Sequence, residues 1–225
     1  MIDGGLCSII QPTEENGQLH QQRVSDIGNV NYGKIGPNSI IQTVAALKEK
    51  YGDEKADVIL RQGGKGYLID NLPSEMVDEK EFISLVHMLA SSVGHTETKV
   101  ILRRSGELTA KYLLKHRIPG PIQWLLKVLP AKQGLRILLS AISKNAWTFV
   151  GTGTFSYDSE NEKKIYIENC LSCRGLHSSQ PICSFYEGTF EKLIQTLIVS
   201  KAQVREIECI ALGAKTCTYQ IQFPK

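Results

Sequence analysis

One stretch, Cys183 to Phe223, constrains the fold of this chain more than any other. It reads CSFYEGTFEKLIQTLIVSKAQVREIECIALGAKTCTYQIQF and carries three of the six cysteines, Cys183, Cys209 and Cys217. In its first half, Phe185, Phe190, Leu193, Ile194, Leu197 and Ile198 recur at helical spacing and form one apolar face. Its second half holds two β-rich runs, Val204–Ala211 and Thr216–Phe223, around Leu212-Gly213-Ala214-Lys215. Gly213 can take a positive φ at that turn, so the runs read as a hairpin. The thiols and a nearby carboxylate then fall where a helix start meets a sheet. Zinc in a structural role takes four such donors, and Cys183, Glu206, Cys209 and Cys217 would make one closed set. In a regular strand Glu206 and Cys209 point to opposite faces. The set therefore needs a bulge or a strand that starts after Glu206, or else Glu208 or a water as the fourth ligand. The spacing alone leaves open the alternative of three small buried thiols in a reducing compartment.

Upstream, the chain reads as helices followed by strands. A polar, turn-rich arm is expected over residues 1–34, with Cys7 a bystander in it. Helices are expected after Gly36-Pro37, over Lys55–Gln62, from Ser74 to Gly94 with His87 within it, and over Glu107–His116. Lys99–Arg104 reads as a short strand or as the start of the next helix. Pro119-Gly120-Pro121 is a rigid break. Beyond it, Ile122, Leu125, Leu126 and Leu129 form one apolar face, and Leu135, Leu138, Leu139 and Ile142 another. Ala146–Phe155 and Lys164–Glu168 alternate as strands. With the hairpin they give an α+β domain, residues 35–225, built on one antiparallel four-stranded sheet flanked by helices.

Two glycine-rich segments suggest nucleotide chemistry and fail its requirements. Gly63-Gly64-Lys65-Gly66 lacks the Walker spacing and reads as a helix end. Gly151-Thr152-Gly153 lacks the strand-then-helix setting and third glycine of a dinucleotide fingerprint. Cys170-Leu171-Ser172-Cys173 is a CxxC with no thioredoxin-like helix after it, at most a second thiol site. A net charge of +3 is too small to argue for nucleic acid. Scattered cysteines and ordinary hydrophobic content point to the cytoplasm. Between Glu107 and Asp158 there is no acidic residue, while Lys111, Lys115, Arg117, Lys127, Lys132, Arg136 and Lys144 are all present. Such a basic amphipathic stretch suits an anionic membrane surface, a partner helix or the carboxylates of an apolar ligand. A solvated face on a core helix pair would look the same.

The run Cys183, Phe185, Tyr186, Glu187, Gly188, then Glu206, Cys209, Gly213 and Cys217, resembles the 4-vinyl reductase domain. A related module in aromatic-sensing transcription activators holds zinc with the matching Cys, Glu, Cys and Cys. The resemblance thus implies structural zinc at Cys183, Glu206, Cys209 and Cys217, and a domain core at about 145–225. It also implies a fold akin to that sensor and to a Golgi-tethering subunit, and a homodimer. Tyr112 to Pro119, Gln123, Leu129-Pro130 and Ala146-Trp147-Thr148-Phe149 extend the similarity to the 4-vinyl (8-vinyl) reductase family of bacteriochlorophyll biosynthesis. That family implies a magnesium tetrapyrrole as ligand or substrate, divinyl protochlorophyllide or a neighbouring Mg-porphyrin, and other enzymes of the pathway as partners. Its named reaction reduces the ring-B vinyl group to ethyl.

Reduction needs an electron source, and no nicotinamide or flavin motif is present in the sequence; zinc has no redox chemistry. The chain therefore reads as a carrier or accessory protein. A reductase with an external or partner donor, and a zinc-braced sensor or assembly module, are the alternatives. For the macrocycle the candidates are the apolar faces of Ile122–Ile142 with Trp124, Trp147 and Phe149 as apolar contacts, and Arg117, Lys127 or Arg136 on its carboxylate. His116 or His87 would ligate magnesium. The expected setting is cytoplasmic, with peripheral membrane contact as an option.

Overall fold

The computed structural model describes residues 33–158, 160 and 163–224. The expected arm, apart from Gly33 and Lys34, and Cys7 within it, lie outside these residues. The described elements are β1 (Lys34–Ile35), α1 (Asn38–Tyr51), α2 (Asp53–Gln62), β2 (Val77–Asp78), α3 (Glu79–Val93), α4 (His95–His116), α5 (Gly120–Val128) and α6 (Ala131–Lys144). They continue with α7 (Trp147–Val150), β3 (Thr154–Tyr157), β4 (Lys164–Glu168), α8 (Ser184–Leu197), β5 (Gln203–Glu208) and β6 (Cys217–Gln222).

The four-stranded sheet has the order β3-β4-β6-β5 and every pairing is antiparallel. Its period-two pattern buries Phe155, Ile165, Ile167, Val204, Cys217, Tyr219 and Ile221 on the core side. Helix α8 packs against β5 on one side and against α4 on the other. This explains why Phe185, Tyr186, Phe190, Leu193, Ile194 and Leu197 are all buried, more than one stripe of a surface helix would require.

The α4–α8 contact is made by backbone. A Cβ on Gly106 would lie 2.0 Å from the Phe185 carbonyl oxygen, and one on Gly188 would lie 2.3 Å from that of Arg103. The hydroxyl of Thr189 donates to the Gly106 carbonyl at 3.2 Å and to that of Phe185 at 2.8 Å. Beside this contact, Arg103 pairs with Glu187 at 3.2 Å and Glu191 at 2.5 Å. The motif Cys-x-Phe-Tyr-Glu-Gly thereby acquires a physical account. Phe185 packs on Phe82, the Tyr186 hydroxyl donates to the Phe149 carbonyl at 3.1 Å, Glu187 faces Arg103, and Gly188 admits α4.

Two local expectations are corrected and a third is decided. Ala146–Phe155 is not one strand: Trp147–Val150 forms a helical turn, and the strand begins at Thr154. The N–H groups of Phe149 and Val150 donate to the Ala146 carbonyl, and Gly151, at φ +56°, ends the turn. Alternation over so few residues suits a helical turn as well as a strand. The helix expected from Ser74 starts at Glu79, because Val77–Asp78 pairs with Lys34–Ile35 in a small second sheet and Asp78 accepts the Lys80 N–H at 2.9 Å as N-cap. Of the two readings of Lys99–Arg104 the helical one holds, since these residues lie in the first half of α4.

Glu79 joins these parts. Its enclosed carboxylate accepts the Thr152 N–H and hydroxyl, both at 2.7 Å, and the Arg174 guanidinium at 2.5 Å. Burial alone would raise this carboxyl, but the Thr152 and Arg174 donors outweigh it and hold it below the usual carboxylate range. Glu79→Gln should destabilise the fold by about 2 kcal/mol in denaturant unfolding at neutral pH, the scale of a lost hydrogen bond to a charged group. A depressed folded pKa gives stability above the unfolded value of about 4.3 that disappears as pH falls through the folded value. The gap between variant and wild type should therefore narrow below about pH 4. A gap constant down to acid pH would show that the charge of Glu79 contributes nothing.

Candidate functional site

Five cysteines meet where the β4–α8 loop, the start of α8 and the β5–β6 hairpin converge. Cys170 and Cys173 lie in the loop, Cys183 precedes α8, Cys209 follows β5 and Cys217 opens β6 opposite Ile167. All five are buried free thiols. Their sulfurs stand at 3.4 Å for Cys170–Cys183, 3.6 Å for Cys173–Cys217, 3.8 Å for Cys183–Cys209 and 3.5 Å for Cys183–Cys217. Zinc–sulfur bonds of about 2.3 Å give a tetrahedron with an edge of about 3.8 Å. These spacings suit thiolates gathered on single ions. The iron ions and sulfides of a cluster would hold its cysteines much further apart.

The carboxylate belongs to the same place. The donor atoms of Cys183, Glu206, Cys209 and Cys217 all lie within 4.8 Å of one another. What brings Glu206 and Cys209 together is a register shift: Glu206 pairs with Tyr219 and Glu208 with Thr218, so two steps on β5 answer one on β6. Glu208 is diverted from the set and accepts the Thr218 hydroxyl at 2.6 Å. Glu206 Oε2 accepts the Cys183 N–H at 2.9 Å, whereas its enclosed Oε1 has no hydrogen-bond partner among the described residues. An enclosed carboxylate oxygen left over beside three thiols fits a zinc ligand. Burial pushes the Cys183 thiol well up, and burial beside Cys209 raises the Glu206 carboxyl to about 9. Donors of this kind ionise together only around a cation.

Cys170 and Cys173, read from the sequence as at most a second thiol site because no helix follows their CxxC, lie in this cluster. The fold supplies the missing context, since that loop turns back onto Cys183. Their spacing is the signal; the partner thiols, Cys183 and Cys217, come from the start of α8 and from β6.

The residues assigned to a macrocycle are more dispersed. On α5, Ile122, Trp124, Leu125 and Val128 are exposed, Trp124 by 66%, and Lys127 beside them is exposed too. Trp147 is 62% exposed on α7. His116, whose ring lies 4.8 Å from that of Tyr112, and Arg117 are exposed at the end of α4, as is Arg136 on α6. Leu135, Leu138 and Leu139, by contrast, are core, so the apolar face of α6 is already covered. Phe149 is half-buried against Phe155 and Tyr186. His87 is held at 2.7 Å by the Arg174 carbonyl. Gln123 ties the helix break together, its amide donating to the Leu114 and Ile118 carbonyls at 2.5 and 2.8 Å.

A helix wedged between a sheet and a second helix, its start pinned to a hairpin by Cys, Glu, Cys and Cys, marks a class of module, and residues 164–223 match the family described as the V-4-R domain. The chain as a whole belongs to the family of the bacteriochlorophyll synthase 23 kDa chain. It is 33% identical to that protein of Cereibacter sphaeroides over 202 residues, 90% of this chain and 96% of the relative. With the Rhodobacter capsulatus protein of the same name it shares 32% over 186 residues, 83% and 85% of the two chains. Among solved structures, a doubly substituted Tt H-NOX is similar at a TM-score of 0.50 and 14% identity, covering 84% of this chain and 95% of that one. At that identity the likeness is one of fold.

Proposed function

We propose that the chain serves bacteriochlorophyll biosynthesis as a zinc-braced module that binds a magnesium tetrapyrrole, divinyl protochlorophyllide or a neighbouring Mg-porphyrin, as carrier or accessory to the pathway's enzymes. The pathway follows from relatives named as chains of a bacteriochlorophyll synthase. The observation that carries the ligand class is the surface of α5 and α7. Large apolar side chains, Trp124, Val128 and Trp147 among them, are exposed along a segment that holds basic residues and no acidic ones. A planar apolar ring with carboxylate arms matches that chemistry. Trp124 and Trp147 would stack on the ring, Lys127, Arg117 or Arg136 would meet its carboxylates, and His116 offers an exposed imidazole for magnesium. The same cations suit an anionic membrane surface, from which such a pigment would be collected. No described helix is long and apolar enough to cross a membrane.

Zinc on Cys183, Glu206, Cys209 and Cys217 supplies cross-linking, not electrons: it ties the start of α8 to the hairpin. Trp147→Ala should weaken binding of the magnesium tetrapyrrole about ten-fold, or roughly 1.4 kcal/mol, with metal content unchanged. The check is a fluorescence titration of the pigment alongside elemental analysis. Equal affinity in wild type and variant would remove Trp147 from the ligand face.

A further inference from the structure

The cysteine cluster holds more donors than one zinc uses. Two quartets of ligand atoms each lie within 4.8 Å: Cys183, Glu206, Cys209 and Cys217, and Cys170, Cys173, Cys183 and Cys217. They share Cys183 and Cys217 and differ in the other pair. We propose that the second quartet is a second metal site for a thiophilic divalent cation such as zinc, and that the thiolates of Cys183 and Cys217 bridge the two ions. This rests on the zinc reading of the first quartet, because the bridging thiolates belong to both.

The donor count is what a bridged pair requires. Two four-coordinate ions need eight bonds; four outer donors supply one each and two bridging thiolates supply two each. The shared sulfurs stand 3.5 Å apart, and the outer ones sit against them, Cys170 on Cys183 at 3.4 Å and Cys173 on Cys217 at 3.6 Å. Two thiolates separated by two residues are a recurrent way for a loop to hold zinc. Here the Cys173 N–H turns back on the Cys170 carbonyl at 3.4 Å.

Either single-ion arrangement leaves a pair of buried donors unused. An ion on the tetrathiolate alone leaves Glu206 with its enclosed Oε1, which has no hydrogen-bond partner among the described residues. One on the first quartet alone leaves Cys170 and Cys173, both buried, in sulfur contact with metal thiolates. The loop is also fixed in advance. Arg174, next to Cys173, donates to Glu79 at 2.5 Å and to the Asn169 carbonyl at 2.8 Å. The outer pair is thereby preorganised.

Native mass spectrometry of the reduced full chain, titrated with zinc, tests the proposal. The expected result is two zinc ions per chain, falling to one in Cys170→Ser/Cys173→Ser. Cobalt(II) replacing zinc should show weaker paramagnetism per ion at two equivalents than at one, the signature of coupling through a bridge. Wild type saturating at one zinc overturns the second site. If that one ion is retained in Cys170→Ser/Cys173→Ser and lost in Cys209→Ser, the first site stands without it. Absence of any zinc from wild type overturns both. Should the serine variants fail to fold, the wild-type stoichiometry and the cobalt coupling decide alone.

Discussion

Gly106→Ala should prevent α4 and α8 from reaching their native separation, and Gly188→Ala should do the same from the other helix. The added methyl carbons would stand 2.0 Å from the Phe185 carbonyl oxygen and 2.3 Å from that of Arg103. Neither obstacle is a flexible side chain, so the helices themselves must part. Parting them loosens the Arg103 pairs with Glu187 and Glu191 and the Thr189 hydrogen bond across the contact. Overpacking of this kind costs about 3 kcal/mol or more. That corresponds to a fall in thermal midpoint of roughly 6–12 °C for a chain of this size. Alanine in either position with an unchanged midpoint would mean that the helices are not in backbone contact.

Removal of a shared thiol has the second large effect. Cys217→Ser should strip the chain of metal, because Cys217 belongs to both quartets and receives the Ile210 N–H at 3.5 Å, which anchors the hairpin to it. The donors left behind lose their cation and take up protons, and the cross-link between α8 and the hairpin goes with it. Breaking a buried charge pairing costs about 3–5 kcal/mol. Metal analysis and thermal unfolding, with and without a strong chelator, check this. The variant should hold no zinc and gain no further sensitivity to the chelator, while wild type should fall to the variant's midpoint when stripped. Full zinc content in Cys217→Ser would contradict the ligand assignment.

Much of the sheet was legible because its strands carry a clean period of two and Gly213 marks the hairpin turn; the glycine takes φ +91° there. The proposed donor set of Cys183, Glu206, Cys209 and Cys217 was visible through its motif, although its geometry was not. Regular alternation separates Glu206 from Cys209, and only the bulge between Glu206 and Glu208 reunites them. Cys170 and Cys173 were visible as a CxxC but had no readable partner, since their neighbours Cys183 and Cys217 arrive from other elements. Gly106 gave no signal at all. A glycine inside a long helix reads as a weakness in that helix until the carbonyl of Phe185 is found against it. The exposed apolar surface was legible only in part: the periodicity of α6 marks a buried stripe, and it is α5 that leaves Trp124 and Val128 exposed.

The most direct measurement is to incubate the purified full chain with divinyl protochlorophyllide and NADPH, separate bound from free pigment by gel filtration, and resolve vinyl from ethyl forms by chromatography. Pigment eluting with the protein, its vinyl group intact, is the predicted result. Conversion to the ethyl form would replace the carrier with a reductase. Pigment eluting wholly free of protein would contradict tetrapyrrole binding and leave a metal-braced assembly module in its place.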